Sequence, residues 1–359
     1  MIRHNVNLDS KSYPIYITTS FEGLGKHIQE FRPGKKVVVI TDSNVDSLYS
    51  NDCIADLEVA GFETIKYVLK AGEENKTLEE INKVYKILID FKCDRSSTLV
   101  ALGGGVVGDM TGFAAATYMR GINYVQVPTT LLAQADSSVG GKTGVDYNGH
   151  KNVVGSFYQP RFVYINVNTL KTLPKREISC GLAETIKHGI ILDQEFLEYV
   201  DYNIDKIFAC DEVVLQYVTK NNCAIKSSVV EKDEKEDDLR AILNFGHTIG
   251  HAIETVENFK MHHGECVSIG IVGAFLLAQQ LELMTDSTIN KIRDILIKAD
   301  LPVCLPSLNV DLVYNQMFYD KKAKNDKLRF VLPRRIGEVF QCYIEDADMI
   351  KNVLQQLKG

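Results

Sequence analysis

The hydrophobic residues in the first half of the chain fall in short runs that polar stretches separate. Lys36–Asp42 (KVVVITD), Ser97–Leu102 (STLVAL) and Tyr124–Pro128 (YVQVP) are apolar and rich in β-branched residues, as buried strands are. Helix-like stretches such as Lys76–Lys92 lie between them. Strands that alternate with helices predict a parallel sheet, which binds ligands at the carboxyl ends of its strands.

The second half has a different pattern. Ile178–Val200, Asp211–Val230 and Cys266–Met284 carry apolar residues at helical spacing and few strand signals. We therefore expect an α/β N-terminal domain followed by a mainly α-helical C-terminal domain.

The boundary between the two halves is predicted near Pro174. This proline follows the apolar run Phe162–Val167, and proline fits neither a central strand nor a helix interior. The sequence thus predicts two domains, 1–172 and 173–359, as the length of 359 residues also suggests.

Composition and charge narrow the class of protein. A net charge of −7 argues against a nucleic-acid-binding protein, which needs a clustered basic face. No run of about 18 apolar residues marks a membrane span, and the first residues lack the apolar core of a signal peptide. Eight scattered cysteines without a CxxC pair are expected to be reduced and mostly buried. We expect a cytoplasmic protein without nucleic-acid or membrane partners.

Two candidate ligand loops follow adjacent predicted strands. Gly103–Asp109 (GGGVVGD) precedes a predicted small-residue helix, Met110–Met119. Glycines let the backbone approach a pyrophosphate, and a helix N-terminus attracts anions. The spacing is not GxGxxG, so this signal alone is weak. The second loop begins at Thr129 and runs on to Lys142, with hydroxyls, glycines, an acid and a lysine.

Histidines form a candidate metal site in the second half. His247 and His251 are four residues apart and share a helix face, but Thr248 replaces the glutamate of a metalloprotease HExxH motif. His263 opens another predicted helix, and Glu184 lies upstream on a third. A glutamate with two histidines is a common catalytic zinc set. The spacing by itself leaves the choice of ligands open.

Together these segments resemble the 3-dehydroquinate synthases, a family of sugar phosphate cyclases. The resemblance spans essentially the whole chain and includes GEENK, GGGVVGD, MRG, VPTTLLAQADSSVGGKTGV, HKN, FYQP, AETIKHG, LNFGHTIGHAIE, HHGE and DKK. It implies a Rossmann-like dinucleotide-binding domain and a metal-binding helical domain, with NAD and a divalent metal, zinc or cobalt, held at one site between them. The implied reaction converts 3-deoxy-D-arabino-heptulosonate 7-phosphate into 3-dehydroquinate and phosphate, in the shikimate pathway.

The resemblance also implies roles for individual residues. The implied metal ligands are Glu184, His247 and His263. The implied NAD contacts are Asp42, Asn44, Glu73, Lys76, Gly105, Val106, Val107, Gly108, Asp109, Thr129, Thr130, Lys142, Lys151, Thr169, Leu170, Lys171 and Thr172. The implied substrate and catalytic residues are Arg120, Asp136, Lys142, Asn152, Lys187, Lys226, Arg240, Asn244, His251 and one lysine of the pair Lys321-Lys322, with Lys321 preferred. Arg120 is expected to act in a neighbouring subunit of a homodimer.

Three positions depart from the family pattern, and three further functions remain open. Gly144, Asp146 and Ser156 replace the alanine, asparagine and alanine that we expect there, which predicts altered packing rather than altered chemistry. Another cyclase would act on glucose 6-phosphate or sedoheptulose 7-phosphate, although Arg240 followed by Asn244 favours a substrate with a carboxylate. A polyol dehydrogenase of the glycerol dehydrogenase kind would share the architecture and the metal, and an inactive dinucleotide sensor would bind NAD without turnover.

Overall fold

The structure is a computed structural model that describes residues 1–236, 238–319, 323–324 and 327–359. In the first 173 residues the elements are β1 (Ile2–Val6), β2 (Tyr13–Thr18), α1 (Leu24–Glu30), β3 (Lys36–Asp42), α2 (Asn51–Val59), β4 (Glu63–Leu69), α3 (Leu78–Asp90), β5 (Thr98–Gly103), α4 (Gly105–Thr117), β6 (Asn123–Pro128), β7 (Lys142–Tyr147), β8 (His150–Phe157) and β9 (Val163–Asn166). The rest of the chain contains α5 (Lys175–Leu192), α6 (Gln194–Phe208), α7 (Glu212–Val230), α8 (His247–Val256), α9 (His263–Gln280), α10 (Asp286–Lys298), α11 (Val310–Met317), β10 (Ala323–Lys324), β11 (Lys327–Arg335), β12 (Glu338–Ile344) and α12 (Ala347–Gln356).

The chain forms two compact units. The first comprises Met1–Leu173 together with Cys210–Glu231, and the second comprises Pro174–Ala209 and Lys232–Gly359. The helix α7, which the predicted boundary places in the second domain, therefore belongs to the first unit. It packs against β1 and β2, and His4 Nε2 lies 2.8 Å from Ser227 Oγ.

The first unit is built on a seven-stranded sheet in the order β1-β2-β9-β6-β5-β3-β4. All neighbouring strands are parallel except β1, which runs antiparallel to β2. The predicted parallel α/β architecture is confirmed. Because β9, β6, β5 and β3 are parallel neighbours, the segments that follow them emerge at one edge of the sheet, here called the carboxyl edge.

Both faces of this sheet are buried, which explains why its central strands are almost continuously apolar. Along β3, Val38 and Ile40 join one hydrophobic cluster with residues of α3 and α4. Val37 and Val39 point the other way, into a second cluster with residues of α1 and α2. Helices therefore pack on both faces of the sheet.

Two helix predictions need correction. The helix α4 begins at Gly105, not at Met110, so only Gly103 and Gly104 precede it. The predicted helical run Ile178–Val200 is divided at Asp193, whose backbone is extended and whose Oδ1 accepts a hydrogen bond from Phe196 N at 2.9 Å. Side-chain capping of α6 competes with continuation of α5 at that residue.

The second unit is mainly helical, as predicted. Its helix α9 packs against α5, α8, α10 and α12. We did not predict its three-stranded sheet, β10-β11-β12, or the separate hairpin β7-β8 in the first unit. Five of the eight cysteines are buried, in agreement with the sequence. Within the described residues, no helix has the length and apolar character that crossing a membrane requires.

Candidate metal centre and nucleotide loops

The two predicted ligand loops leave adjacent strands at the carboxyl edge. Gly103 ends β5 beside Pro128, the last residue of β6, and its carbonyl accepts a hydrogen bond from Thr129 N at 2.9 Å. Residues Gly105–Asp109 form the first turn of α4, which presents its N-terminal amide groups at this edge. This geometry suits an anionic group such as a pyrophosphate.

Gly108 lies where α4 packs closely on β6. A Cβ atom on Gly108 would lie 2.5 Å from Oε1 of Gln126, closer than the 3.0 Å that real Cβ atoms keep from other atoms. The side chain of Gln126 would have to shift to admit it. The small residues of this helix therefore allow close packing on the sheet as well as access to the backbone.

Other predicted NAD contacts follow neighbouring strands at the same edge. After β3, Asp42 Oδ1 accepts hydrogen bonds from Asn44 N at 2.8 Å and Val45 N at 3.1 Å. After β9, residues Val167–Thr172 form a 3-10 turn. Tyr49 Oη donates to Thr169 O at 3.0 Å and lies 2.5 Å from Thr172 Oγ1, which links the turn to the segment after β3.

Lys76 is the centre of a polar network in the first unit. Its ammonium group donates to Asp109 Oδ2 at 2.7 Å and to Asn152 Oδ1 at 2.5 Å, and Glu73 Oε1 lies 3.8 Å away. Burial lowers the pKa of Lys76, but the carboxylates of Asp109 and Glu73 outweigh it, so the pKa is raised. Lys76 therefore stays charged although only 3% of it is exposed.

The hairpin β7-β8 supplies Asn152 to this network. Asp146 N donates to Lys76 O at 2.8 Å, and Asp146 Oδ1 accepts from Asn152 N at 2.8 Å. Asn152 has a left-handed backbone with φ of 54°. The residue at 146 thus holds the asparagine in place, and an aspartate accepts this hydrogen bond as an asparagine would.

The sequence contains a signal for this hairpin that the prediction did not use. Asn148 and Gly149 both have positive φ, 48° and 77°, between the paired residues Tyr147 and His150. Asn-Gly is the preferred sequence of a two-residue type I′ turn. Gly144 faces Gly155 across the hairpin, and a Cβ atom on Gly144 would lie 2.7 Å from Val154 O. Glycine at position 144, where we expected an alanine, therefore allows the two strands to pair closely.

Four other lysines of the first unit are predicted to bind ligands. On α7, Lys226 is 6% exposed and lies 2.9 Å from Asp136 Oδ1; its ammonium group also donates to Asp136 O at 2.5 Å. Lys151, on β8, lies 3.7 Å from Glu73 Oε1. Lys142 is exposed at the start of β7, and Lys171 forms an exposed ion pair with Glu212 at 3.0 Å.

Arg120 lies away from the carboxyl edge. The helix α4 starts at that edge with Gly105 and has 13 residues, so it carries the chain about 20 Å towards the opposite edge. Arg120 follows it, directly before β6 begins at Asn123. Met119 and Arg120 both have positive φ, 49° and 66°, which is uncommon for residues other than glycine. Within its own chain, Arg120 is thus separated from the glycine loop.

Three helices of the second unit bring the predicted metal ligands together. Glu184 on α5 is completely buried, and its Oε1 lies 3.5 Å from His247 Nε2 on α8. The same oxygen lies 3.6 Å from Nε2 of His263, the first residue of α9. The other oxygen, Oε2, binds the ammonium group of the buried Lys187. One carboxylate oxygen thus faces two imidazole nitrogens.

The environment of each histidine indicates how its ring is oriented. His247 Nδ1 lies 3.0 Å from Phe245 O, which can only accept, so Nδ1 carries a proton and Nε2 is the nitrogen that can bind a metal. Burial holds the pKa of His247 well below its usual value. For His263, burial alone lowers the pKa, but hydrogen bonds to Glu184 and Glu254 raise it to about 9.

These residues fit a divalent metal ion. Nitrogen ligands from two histidines and one carboxylate oxygen form a donor set suited to zinc or cobalt. His251, one turn after His247 on α8, adds a third imidazole, and one ring nitrogen of each of His247, His251 and His263 lies within 4.8 Å of the others. Contact with Glu184 favours His247 and His263 as ligands, with His251 beside them.

Arg240 and Asn244 share the 3-10 turn Leu239–Asn244, which precedes α8. Arg240 is 1% exposed and donates to Glu234 O at 2.5 Å. Asn244 Nδ2 donates to Glu236 Oε1 at 2.6 Å. Lys321 and Lys322 lie outside the described residues.

Sequence reasoning missed two acids in this unit, Glu236 beside Asn244 and Glu254 beside His263. Glu254 carried a recognisable signal, because it follows His247 by two helical turns and so shares its face of α8. No comparable spacing marks Glu236, which lies in an irregular segment with φ of 63°.

Comparison with known proteins agrees with these arrangements. The family described as 3-dehydroquinate synthase N-terminal matches residues 66–180, and that described as 3-dehydroquinate synthase C-terminal matches residues 181–323. The chain is 66% identical to the 3-dehydroquinate synthase of Ruminiclostridium cellulolyticum, over 100% of both chains.

Two solved structures are similar over almost the whole chain. One is 2-deoxy-scyllo-inosose synthase complexed with carbaglucose-6-phosphate, NAD+ and Co2+, with a TM-score of 0.89, 25% identity and 99% of each chain covered. The other is the 2-epi-5-epi-valiolone synthase of Streptomyces hygroscopicus subsp. jinggangensis with NAD+ and Zn2+ bound, with a TM-score of 0.89, 26% identity and 98% of each chain covered. The full-length identity and both family matches show that this chain belongs to the 3-dehydroquinate synthase family.

Proposed function

We propose that the chain converts 3-deoxy-D-arabino-heptulosonate 7-phosphate into 3-dehydroquinate and phosphate, with NAD and zinc or cobalt. The observation that carries this proposal is the convergence of Glu184, His247 and His263 in a member of this family. The relative with 66% identity is named for this product, whereas the cyclases named for other products share 25% and 26% identity. The proposed pathway is therefore the shikimate pathway.

The bound groups would supply a hydride acceptor and a Lewis acid. The first turn of α4, with Gly105 to Asp109, would hold the pyrophosphate of NAD, together with Thr129 and Thr130. Asp42 and Asn44 would face the adenosine half. Glu73, Lys76, Lys151 and the turn from Thr169 to Thr172 would complete the cofactor contacts. Such a grip along its length would retain the reduced cofactor between the oxidation and the later reduction.

The remaining residues would bind the substrate and handle protons. An acidic chain must meet a phosphate and a carboxylate with local cations, each worth about 1.5–3 kcal/mol as a charge-assisted hydrogen bond. The proposed contacts are Lys142, Asn152, Lys187, Lys226 with Asp136, Arg240, and one lysine of 321–322. Asn244 would orient the substrate by hydrogen bonds, and His251 would transfer protons near the metal.

We propose a homodimer as the working unit, because Arg120 is separated from the glycine loop by the length of α4. Such an arginine can serve the site of a neighbouring subunit. Mixing inactive Arg120→Ala with inactive His247→Ala should restore part of the activity through hybrid sites. No recovery after verified subunit exchange would count against shared sites.

One experiment tests the reaction. The purified chain is incubated with the heptulosonate phosphate, NAD and zinc or cobalt, while phosphate release and NADH absorbance are followed together. We expect phosphate release matching substrate loss, with NADH absorbance that rises and then decays, because oxidation is followed by reduction of the same carbon. Accumulation of NADH without phosphate would indicate a polyol dehydrogenase, and faster turnover of glucose 6-phosphate or sedoheptulose 7-phosphate would indicate another cyclase.

Because the eight cysteines include no CxxC pair and five are buried, we propose a cytoplasmic location, where thiols stay reduced.

A further inference from the structure

The nitrogens of the two candidate ligands that face away from Glu184 have different neighbours. His247 Nδ1 lies beside the neutral carbonyl of Phe245 at 3.0 Å. His263 Nδ1 lies 3.3 Å from Oε2 of Glu254, a buried carboxylate. One imidazole is therefore oriented by a dipole and the other by a charged group.

Glu254 reaches His263 from a different helix. It lies on α8 two turns after His247, so the two residues share one face of that helix. Its side chain is 7% exposed where it contacts His263. The helix that supplies one candidate ligand thus also supplies the neighbour of the other.

The backbone of His263 is held by separate contacts. His262 is the N-cap of α9, and its backbone N–H donates to Glu265 Oε2 at 2.9 Å. Arg176, on α5, donates to both oxygens of Glu265, at 2.6 and 2.8 Å. These bonds set where α9 begins, but they do not fix the rotation of the His263 imidazole ring about its side-chain bonds. Rotation of the ring is restricted by Glu254 on its Nδ1 side and by Glu184 on its Nε2 side.

We propose that Glu254 is a positioning residue for the metal centre, which orients the ring of His263 and directs its Nε2 lone pair towards the ion. A carboxylate that accepts a hydrogen bond from Nδ1–H selects the tautomer with a free Nε2 and makes that nitrogen a stronger ligand. Glu254 lies on the Nδ1 side of the ring and Glu184 on the Nε2 side, so the two acids have different roles. This inference rests on the proposed metal site.

The test measures metal binding by the full-length chain rather than turnover. Metal-free wild type, Glu254→Gln, Glu254→Ala and the control Glu257→Gln are titrated with Co2+. Glu257 is the C-cap of the same helix. Affinity is measured by competition with a chromophoric chelator, and the visible spectrum of bound cobalt reports its coordination. Thermal melting of each metal-free protein shows whether it is folded.

Glu254→Ala should lower cobalt affinity about 10–100-fold and alter the cobalt spectrum. Glu254→Gln keeps an oxygen acceptor without the charge, so it should rescue the spectrum and part of the affinity, while Glu257→Gln should match wild type. If Glu254→Ala fails to fold, Glu254→Gln alone tests the proposal, and its cobalt affinity must then be lower than that of wild type. If a folded Glu254 variant has the affinity and the cobalt spectrum of wild type, the inference about Glu254 is wrong, whereas the proposed metal site is unaffected. Failure of the wild type itself to bind cobalt would overturn the proposed metal site as well.

Discussion

The Lys76 network of the first unit and the Glu184 cluster of the second unit are both buried and polar, but their charges are arranged differently. Lys76 donates to oxygens of Asp109 and Asn152, so a cation of the chain itself occupies the middle of that network. In the Glu184 cluster, acceptor atoms converge instead, since one carboxylate oxygen faces Nε2 of both His247 and His263.

This difference indicates which ligand each region can accept. Converging acceptors repel one another unless a cation lies among them. The carboxylates of Glu184 and Glu254 favour a proton on His263, because they raise its pKa to about 9 against the effect of burial. A divalent metal would displace that proton and offset the repulsion more fully. The Lys76 network already pairs opposite charges. A ligand that binds there must therefore replace some of the contacts that Lys76 makes with Asp109 and Asn152. Removing one acceptor should therefore be more damaging to function than removing Lys76.

The largest effect is expected from the substitution His247→Ala. Loss of one of three protein ligands should lower metal affinity by more than about 100-fold, with loss of activity, because even neighbours of ligands contribute 10–100-fold. Metal content after gel filtration and circular dichroism would show whether metal is lost while the fold persists. His150→Ala, at an exposed position of the hairpin, is the matched control. Full metal content in His247→Ala would refute its assignment as a ligand and remove the contrast between the regions.

An intermediate effect is expected from Lys76→Met. The substitution keeps an apolar stem but leaves Asp109 without its 2.7 Å partner, so unfolding should become easier by about 2 kcal/mol. NAD affinity should fall about 10-fold if one charge-assisted bond is lost, while metal content stays at the wild-type level. Denaturant unfolding and calorimetric titration with NAD measure the two effects.

The second substitution Asp109→Asn, added to Lys76→Met, should restore part of the stability, because it removes the charge left without its partner. Lys83→Met, at an exposed position on α3, is the control. A loss of metal in Lys76→Met would show that the two regions do not act separately.

The smallest effect on function is expected in the hairpin that positions Asn152, where a substitution should change mainly the stability. Gly144→Ala would bring a Cβ atom to 2.7 Å from Val154 O, a backbone atom that cannot move alone. We expect a loss of about 1–3 kcal/mol in unfolding free energy, typical of overpacking. Ser156→Ala, on the opposite strand, should change it by less than about 0.5 kcal/mol. Equal stability of the two variants would show that the hairpin tolerates an alanine at position 144, contrary to the close pairing of Gly144 with Gly155.

Local patterns were sufficient for much of the fold. The apolar runs at 36–42 and 124–128 predicted central parallel strands, and the spacing of His247 and His251 predicted one helix face. The sequence also contains local signals that we did not recognise, such as the Asn148-Gly149 turn. The start of α4 was misplaced because glycines weaken helix propensity, whereas packing on the sheet and the exposed N-terminal amides favour a helix from Gly105.

What the sequence determined by itself is what depends on neighbours along the chain: the buried strands, the amphipathic helices, the family and the candidate ligands. Only the tertiary structure decided that α7 packs on β1 and β2 in the first unit, that Lys76 meets Asp109 and Asn152, and that Glu254 lies behind His263. Periodicity states which face of an element is buried but not against what. These contacts join residues that are far apart in sequence. They are selected by packing and by the pairing of buried polar groups, which no local pattern encodes.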